Sequence, residues 1–274
     1  MKKILIIALF CILLPIGTRA EIEQEIVNLP VPFVSEIPDG IWMNPWSNAC
    51  EEASMVMVDQ YYKGTEKISI SASKKMMVPI FTYENKVFGT NSDSNSERTA
   101  IIIDAMMDFD TTIVRNPTLE QIKDELRAGR PVISLHHGQK LANPHHRWRA
   151  GGSYYHMMVI VGFDDNTGEF IVNDTADHDS GLDYRYKYDI VMDTLHDFNH
   201  KTRKANEEPT VMFTYSKYIV KAKGNNRVYL VMNNTKHHII KPSLFKKYGW
   251  KWSKLKTVDK KWLDDLTTGE PIVN

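Results

Sequence analysis

The stretch Pro45-Trp46-Ser47-Asn48-Ala49-Cys50-Glu51-Glu52-Ala53-Ser54-Met55-Val56-Met57-Val58-Asp59-Gln60-Tyr61-Tyr62-Lys63-Gly64 passes from loop into helix. Ala53, Met55, Met57, Val58, Tyr61 and Tyr62 recur at helical spacing, and Gly64 closes the run. Ser47 or Asn48 suits the cap, and Glu51 and Glu52 suit the first turn. Cys50 then sits at a helix N-terminus, where unbonded backbone N–H groups and the helix dipole favour a thiolate. The two glutamates oppose this if they face the sulfur, and they are expected to project along the flank. A low thiol pKa therefore needs a cation, and an imidazolium is the usual one.

The cysteine count sharpens the reading. Of two cysteines, Cys11 lies in the apolar run Ile4 to Pro15, which follows Lys2 and Lys3 and precedes Thr18-Arg19-Ala20. That order reads as a secretory signal over Met1–Ala20, with export to the periplasm, cell surface or medium and no membrane span after cleavage; the alternative is a signal retained as an anchor. Cleavage leaves Cys50 as a lone thiol in an exported chain, which points to reactivity or an intermolecular bridge. Taken alone, a buried inert cysteine is an equal reading. Losing Lys2, Lys3 and Arg19 turns 34 basic against 34 acidic residues into 31 against 34, a balance that does not suggest a nucleic-acid binder.

Ten histidines are available as partners. His156 stands between the small residues Gly151-Gly152-Ser153 and the apolar run Met157 to Phe163, so its ring begins a buried strand and needs a partner. Phe170-Ile171-Val172-Asn173 forms the next strand, after an Asp-Asn-Thr-Gly turn. A hairpin through Asp165 to Gly168 returns Asp174 to the level of His156, where a carboxylate fixes the imidazole tautomer. Taken singly, His156 reads as a satisfied core histidine and Asp174 as a turn residue; their joint occurrence with Cys50 carries the argument.

Elsewhere, Val31 to Val34 suggests a short edge strand. Helices are expected over Ser71 to Thr82, Glu97 to Met107 and Thr118 to Arg127, the last with a capping box from Thr118 and Gln121. Strands are expected at Thr111 to Val114 and Pro131 to His136. Helices first and sheet afterwards give an α+β class. Lys223-Gly224-Asn225-Asn226 marks a joint, after which ten basic face four acidic residues. The chain divides into a main domain, Glu21–Lys223, and a small β-rich basic module, Gly224–Asn274.

Val31-Pro32-Phe33, Trp42, the run Pro45 to Ser54, Gly129-Arg130-Pro131-Val132-Ile133, His156 to Asp164 and Val172-Asn173-Asp174 resemble the bacterial double-glycine (bacteriocin-processing) peptidase-like family of the papain superfamily. The resemblance implies a papain-like fold, a thiol nucleophile at Cys50, a general base at His156 and an orienting carboxylate at Asp174. Relatives commonly carry Gln after the Val-Pro-aromatic stretch, where its amide helps bind the oxyanion; here Glu36 takes the place. A carboxylate repels developing negative charge and donates only when protonated, and losing one such donor costs on the order of a hundred- to a thousandfold in rate. Asn44 and Asn48 are further oxyanion candidates, beside the Cys50 N–H.

His136-His137 and His145-His146 do not make a metal site on this reading, since strand neighbours point to opposite faces and no HExxH pattern is present. No cofactor is implied. The basic, aromatic segment Gly138 to Gly152 suits a wall over the site or a plain surface loop. The final module resembles an appendage of other exported bacterial proteins. Its lysines and Trp250, Trp252 and Trp262 suit either an anionic envelope polymer or a small core with a solvated surface. The expected activity is hydrolysis of a peptide or isopeptide bond in a peptide or protein substrate through a Cys50 acyl-enzyme. The rivals are a catalytically silent envelope-binding protein, which Glu36 suits, and leader-peptide processing.

Overall fold

The computed structural model describes residues 25–146, 154–176 and 178–273. The expected signal segment and the Gly151-Gly152-Ser153 approach to His156 lie outside them.

Strand β1 (Ile26–Asn28) leads through buried, irregular Val31 and Val34 toward α1 (Cys50–Tyr62). The stretch Val31 to Val34 is not the strand its β-formers suggest: Pro30 and Pro32 lack the N–H donors that a ladder needs. Helix α2 (Ile70–Phe88) contains Pro79 and runs on past Thr82, the end its pattern suggests, to Phe88. Ser69 caps it, and Gly89 ends it at φ 76°. Helix α3 (Ser96–Met106) starts from an Asn95 cap, and β2 (Phe109–Arg115) follows. Helix α4 (Leu119–Arg127) carries both halves of the Thr118–Gln121 capping box.

Strands β3 (Val132–His136), β4 (His156–Asp164) and β5 (Glu169–Asn173) pair antiparallel in sequence. Then come β6 (Tyr184–Lys187), α5 (Tyr188–Thr194) and the short pair β7 (Phe198–Asn199) and β8 (Lys204–Ala205). Strand β9 (Thr210–Ala222) leads to β10 (Val228–Met232), β11 (Thr235–Ile239), α6 (Ser243–Lys247), β12 (Leu255–Val258), α7 (Lys260–Asp265) and β13 (Thr267–Thr268).

The main sheet runs β13-β11-β10-β9-β3-β4-β5-β6. Every residue of β3 and β4 is buried, so these strands are apolar on both faces. Alternation sorts them. Met157, Val159 and Val161 pack with Ala53, Met57 and Ile103 of the α1–α3 layer, whereas Met158 and Ile160 pack with Ile122 and Leu126 of α4 and Val191 of α5. Full burial of each such side chain contributes about 1.5–3 kcal/mol. Gly162 marks the irregularity between Ile160 and Gly162 in the β4–β5 pairing, and a Cβ there would lie 2.1 Å from the Val27 carbonyl oxygen. Only glycine admits β1 this closely.

The joint at residues 223–226 is the turn from β9 to β10. Strand β9 itself serves both parts: residues 210–216 pair with β2 and β3, and residues 217–222 pair with β10 and β12.

Candidate active site

Cys50 opens α1 as a free, buried thiol. Residue Ala49 takes the cap position, and no side chain caps the helix. Ser47 and Asn48 lie in a single 3₁₀ turn, Trp46–Asn48, where Ser47 Oγ donates to Asn44 Oδ1 at 2.8 Å. The uncapped first turn leaves its N–H groups directed at the thiol side. Asn44 is exposed and Asn48 half-buried.

His156 is the first residue of β4, and Asp174 directly follows β5, so the hairpin brings the two together. His156 Nε2 lies 2.8 Å from Asp174 Oδ1. A ring nitrogen of His156, a carboxyl oxygen of Glu36 and Cys50 Sγ all lie within 4.8 Å of one another. The structure thus gathers Cys50, His156, Asp174 and Glu36 in one place. With Nε2 turned to the carboxylate, Nδ1 is the nitrogen for the thiol.

Asp174 is fully buried and receives five donors. Oδ1 accepts from His156 Nε2 and the Ala176 N–H; Oδ2 accepts from His146 Nε2 (2.8 Å), Asn143 Nδ2 (3.2 Å) and the Tyr186 hydroxyl (2.5 Å). Burial alone would raise this carboxyl, but the charge and hydrogen bonds of His156 and His146 hold it well below the usual carboxylate range. An anionic acceptor requires both imidazoles to present Nε2–H, which fixes the tautomer of each. His146, Asn143 and Tyr186 were not legible in the sequence. Nothing distinguished His146 from His145, and Tyr186 sits on a strand of only four residues, Tyr184–Lys187, whose short alternation was not read.

Burial lowers the His156 pKa, opposed by Asp174 and aided by His146, so the ring is neutral at rest. The thiol moves the other way. Burial, and then the charges of Glu51, Glu36 and Asp93, push Cys50 well above its ordinary value. Glu51 does not project along the helix flank as expected; Cys50 Sγ donates to its Oε2 at 3.0 Å, and its Oε1 accepts from the Ser94 N–H at 2.5 Å. Burial and Asp93 push Glu51 itself up to about 8. The resting pair is therefore a neutral thiol and a neutral imidazole, in contrast to the thiolate beside an imidazolium that the sequence suggests. His136, opposite His156 in the β3–β4 register, is pushed down to about 3 by burial and stays neutral as well.

Glu36 is buried, and burial, followed by the charges of Asp174 and Glu51, raises its carboxyl well above the usual range. Thr175 Oγ1 donates to the Met157 carbonyl at 3.0 Å and, at 3.3 Å, to Glu36 Oε2, a bond that offsets part of this rise.

Two groups of ligand-type atoms converge: Glu36, Cys50 and His156, and His146, His156 and Asp174. Neither reads as a metal centre. Protonated Glu36 and Cys50 are poor ligands, and the five donors on Asp174 fill its roughly four lone-pair positions. A cavity of about 890 Å³ lined by Tyr61, Tyr62 and Arg130 lies at the other end of α1, about 16 Å along the axis from Cys50, away from this chemistry.

The chain belongs to the Peptidase_C39 like family, whose profile matches residues 28–206. It therefore has the α+β, cysteine-peptidase-like fold of that papain-like family. Among solved structures it is similar to a chain from Bacillus anthracis whose assignment as a C39-like peptidase is itself provisional. The two share 14% identity over 69% of this chain and 97% of that one, with a TM-score of 0.42. None of the curated proteins matches.

Proposed function

We propose that this chain is an exported cysteine hydrolase that cleaves a peptide or isopeptide bond through a Cys50 acyl-enzyme. The observation that carries the reading is the meeting of Cys50, at an uncapped helix N-terminus, with a His156 ring whose tautomer Asp174 fixes. From the neutral resting pair, His156 Nδ1 takes the thiol proton as sulfur attacks the carbonyl carbon. The imidazolium gains from Asp174 at that moment and returns the proton to the leaving amine. Water, deprotonated by the same nitrogen, then releases the acyl group. Protonated Glu36 and the α1 N–H groups offer donors to the developing oxyanion.

The test is a peptide library with mass-spectrometric readout, together with iodoacetamide labelling of Cys50 against pH. Wild type should cleave, Cys50→Ala should not, and His156→Ala should lose at least a thousandfold. Labelling should rise only above the ordinary thiol value of about 8.5. Cleavage that survives Cys50→Ala sinks the proposal. A folded wild type that cleaves nothing favours the second reading, a silent binding protein, which the raised thiol pKa also suits.

The Glu36 side chain makes a separate, signed expectation. While it is protonated it stands in for an amide, so Glu36→Gln should match wild type near pH 6. As pH rises through the elevated Glu36 pKa the wild-type site gains an opposing charge, and its rate should fall where the glutamine variant holds. Superimposable pH–rate profiles, or a hundredfold loss in the variant at pH 6, would show that Glu36 does not donate.

A further inference from the structure

The basic residues of the C-terminal part sort into two groups. Lys254 and Lys256 bridge to Asp108, Lys260 and Lys261 pair with Asp264 and Asp265, and Lys236 binds the Leu263 and Asp264 carbonyls. Lys221, Arg227 and Lys241 make no ion pair among the described residues, yet all three line one cavity of about 410 Å³ between the β9–β11 strands and α6. No carboxylate lines it. Phe245 and Trp252 complete its wall. Phe245 is buried and stacks flat on the indole, 3.6 Å between centroids at 1°, while Trp252 stays 51% exposed. The result is a rigid aromatic plate backed on one face, open on the other, and surrounded by uncompensated cations.

We propose that this cavity binds an acidic saccharide, a sugar ring carrying a carboxylate or phosphate. The apolar C–H face of a pyranose lies flat on an indole, which loses almost no freedom because Phe245 already fixes it. Arg227, Lys221 and Lys241 supply charge-assisted hydrogen bonds to the anion, with the arginine able to grip two oxygens at once. The volume is in the range of small-ligand sites and holds a short saccharide. A nucleic acid fits less well. Its phosphates need a cationic track that extends beyond the module, and acids outnumber bases over Glu21–Asn225. The site is separate from the thiol chemistry, so either assignment can fail without the other.

The test is titration calorimetry of the chain from Glu21 onward with trigalacturonate, glucose 6-phosphate, neutral maltotriose and a single-stranded DNA 20-mer. Saturable binding of one or both acidic sugars is expected, with at least tenfold weaker binding of maltotriose. The sugar that binds more tightly identifies carboxylate or phosphate as the anion. Trp252→Ala and Lys241→Glu should each weaken binding at least tenfold with an unchanged melting curve, and Arg227→Ala serves if either variant misfolds. Binding of neither acidic sugar, binding indifferent to these substitutions, or tighter binding of the DNA would overturn the proposal.

Discussion

Asp174→Asn is expected to lower kcat/KM by about 10⁴-fold while leaving the fold intact, the scale seen when a triad carboxylate elsewhere becomes an amide. The local hydrogen bonds say why. Oδ2 of Asp174 accepts from three side chains, His146, Asn143 and Tyr186, whereas Oδ1 accepts from His156 and, at 3.3 Å, from the Ala176 N–H. An asparagine has one carbonyl oxygen, and the three donors draw it to the Oδ2 position. Its NH₂ then faces His156 Nε2, which must accept a proton in place of donating one. The ring is forced into the Nδ1–H tautomer, and Nδ1 can no longer take the thiol proton. Asp174→Ala, by contrast, removes the acceptor of all five donors and should lose stability as well as activity. The check is kcat/KM beside the thermal midpoint for both variants. A loss smaller than tenfold in Asp174→Asn would mean that the tautomer is set by something else.

The second large effect is a fall in stability as pH rises from about 6.5 to 8. Glu36, Glu51, Glu52, Glu84 and Asp93 are carboxyls whose pKa burial raises, with Glu51 pushed up to about 8. Each is protonated in the fold over a range where the unfolded chain has lost that proton. The folded state then binds more protons, and stability falls with rising pH from the unfolded value near 4.5 up to the folded one. The buried histidines act oppositely at lower pH. His136, pushed down to about 3, and His156, also lowered, cost stability when the medium drops below about 6.5, because only the unfolded chain takes up their protons. Asp174, held low, likewise contributes stability that is lost as pH falls through its folded value. The opposing slopes partly cancel between about pH 4.5 and 6.5. Above that the carboxyls act alone, and Glu51 by itself should remove about 2 kcal/mol by pH 8. Urea unfolding across pH 5 to 9 checks this, with Glu51→Gln flattening the alkaline slope. Stability that holds level or rises from pH 6.5 to 8 would show that these carboxyls ionise freely.

Those same carboxyls mark where sequence reading stopped. Cys50, His156 and Asp174 could be placed in advance because each occupies an end of an element whose period is plain: a helix start, a strand start, and the residue after a hairpin's return strand. The capping box on α4 was visible for the same local reason. Glu51 and Glu52 look like ordinary acidic residues of a helix's first turn, and only the packed structure shows Ser94 bonding Glu51 and Glu84 of α2 facing Glu52. Their burial raises their pKa, and burial of the thiol itself, followed by the charge of Glu51, reverses the thiol's expected behaviour. The cap failed similarly: Ser47 bonds back to Asn44, so the helix begins at Ala49 and Cys50 without a polar side chain. Strand β9 escaped notice because it crosses between two environments, and its middle residues, Tyr215 to Tyr218, are half-buried without alternation.

Because Ile219, Val220 and Lys221 of β9 are flanked on both sides by strands of the C-terminal part, the turn at 223–226 is a poor place to divide the polypeptide. Gene truncation there would leave Lys217 to Ala222 attached to the peptidase-like body without their β10 and β12 partners, with Ile219 to Lys221 unpaired on two edges. Such a ribbon pairs readily with another copy of itself. Loss of the tail is therefore expected to be read in solubility before it is read in any assay of the thiol.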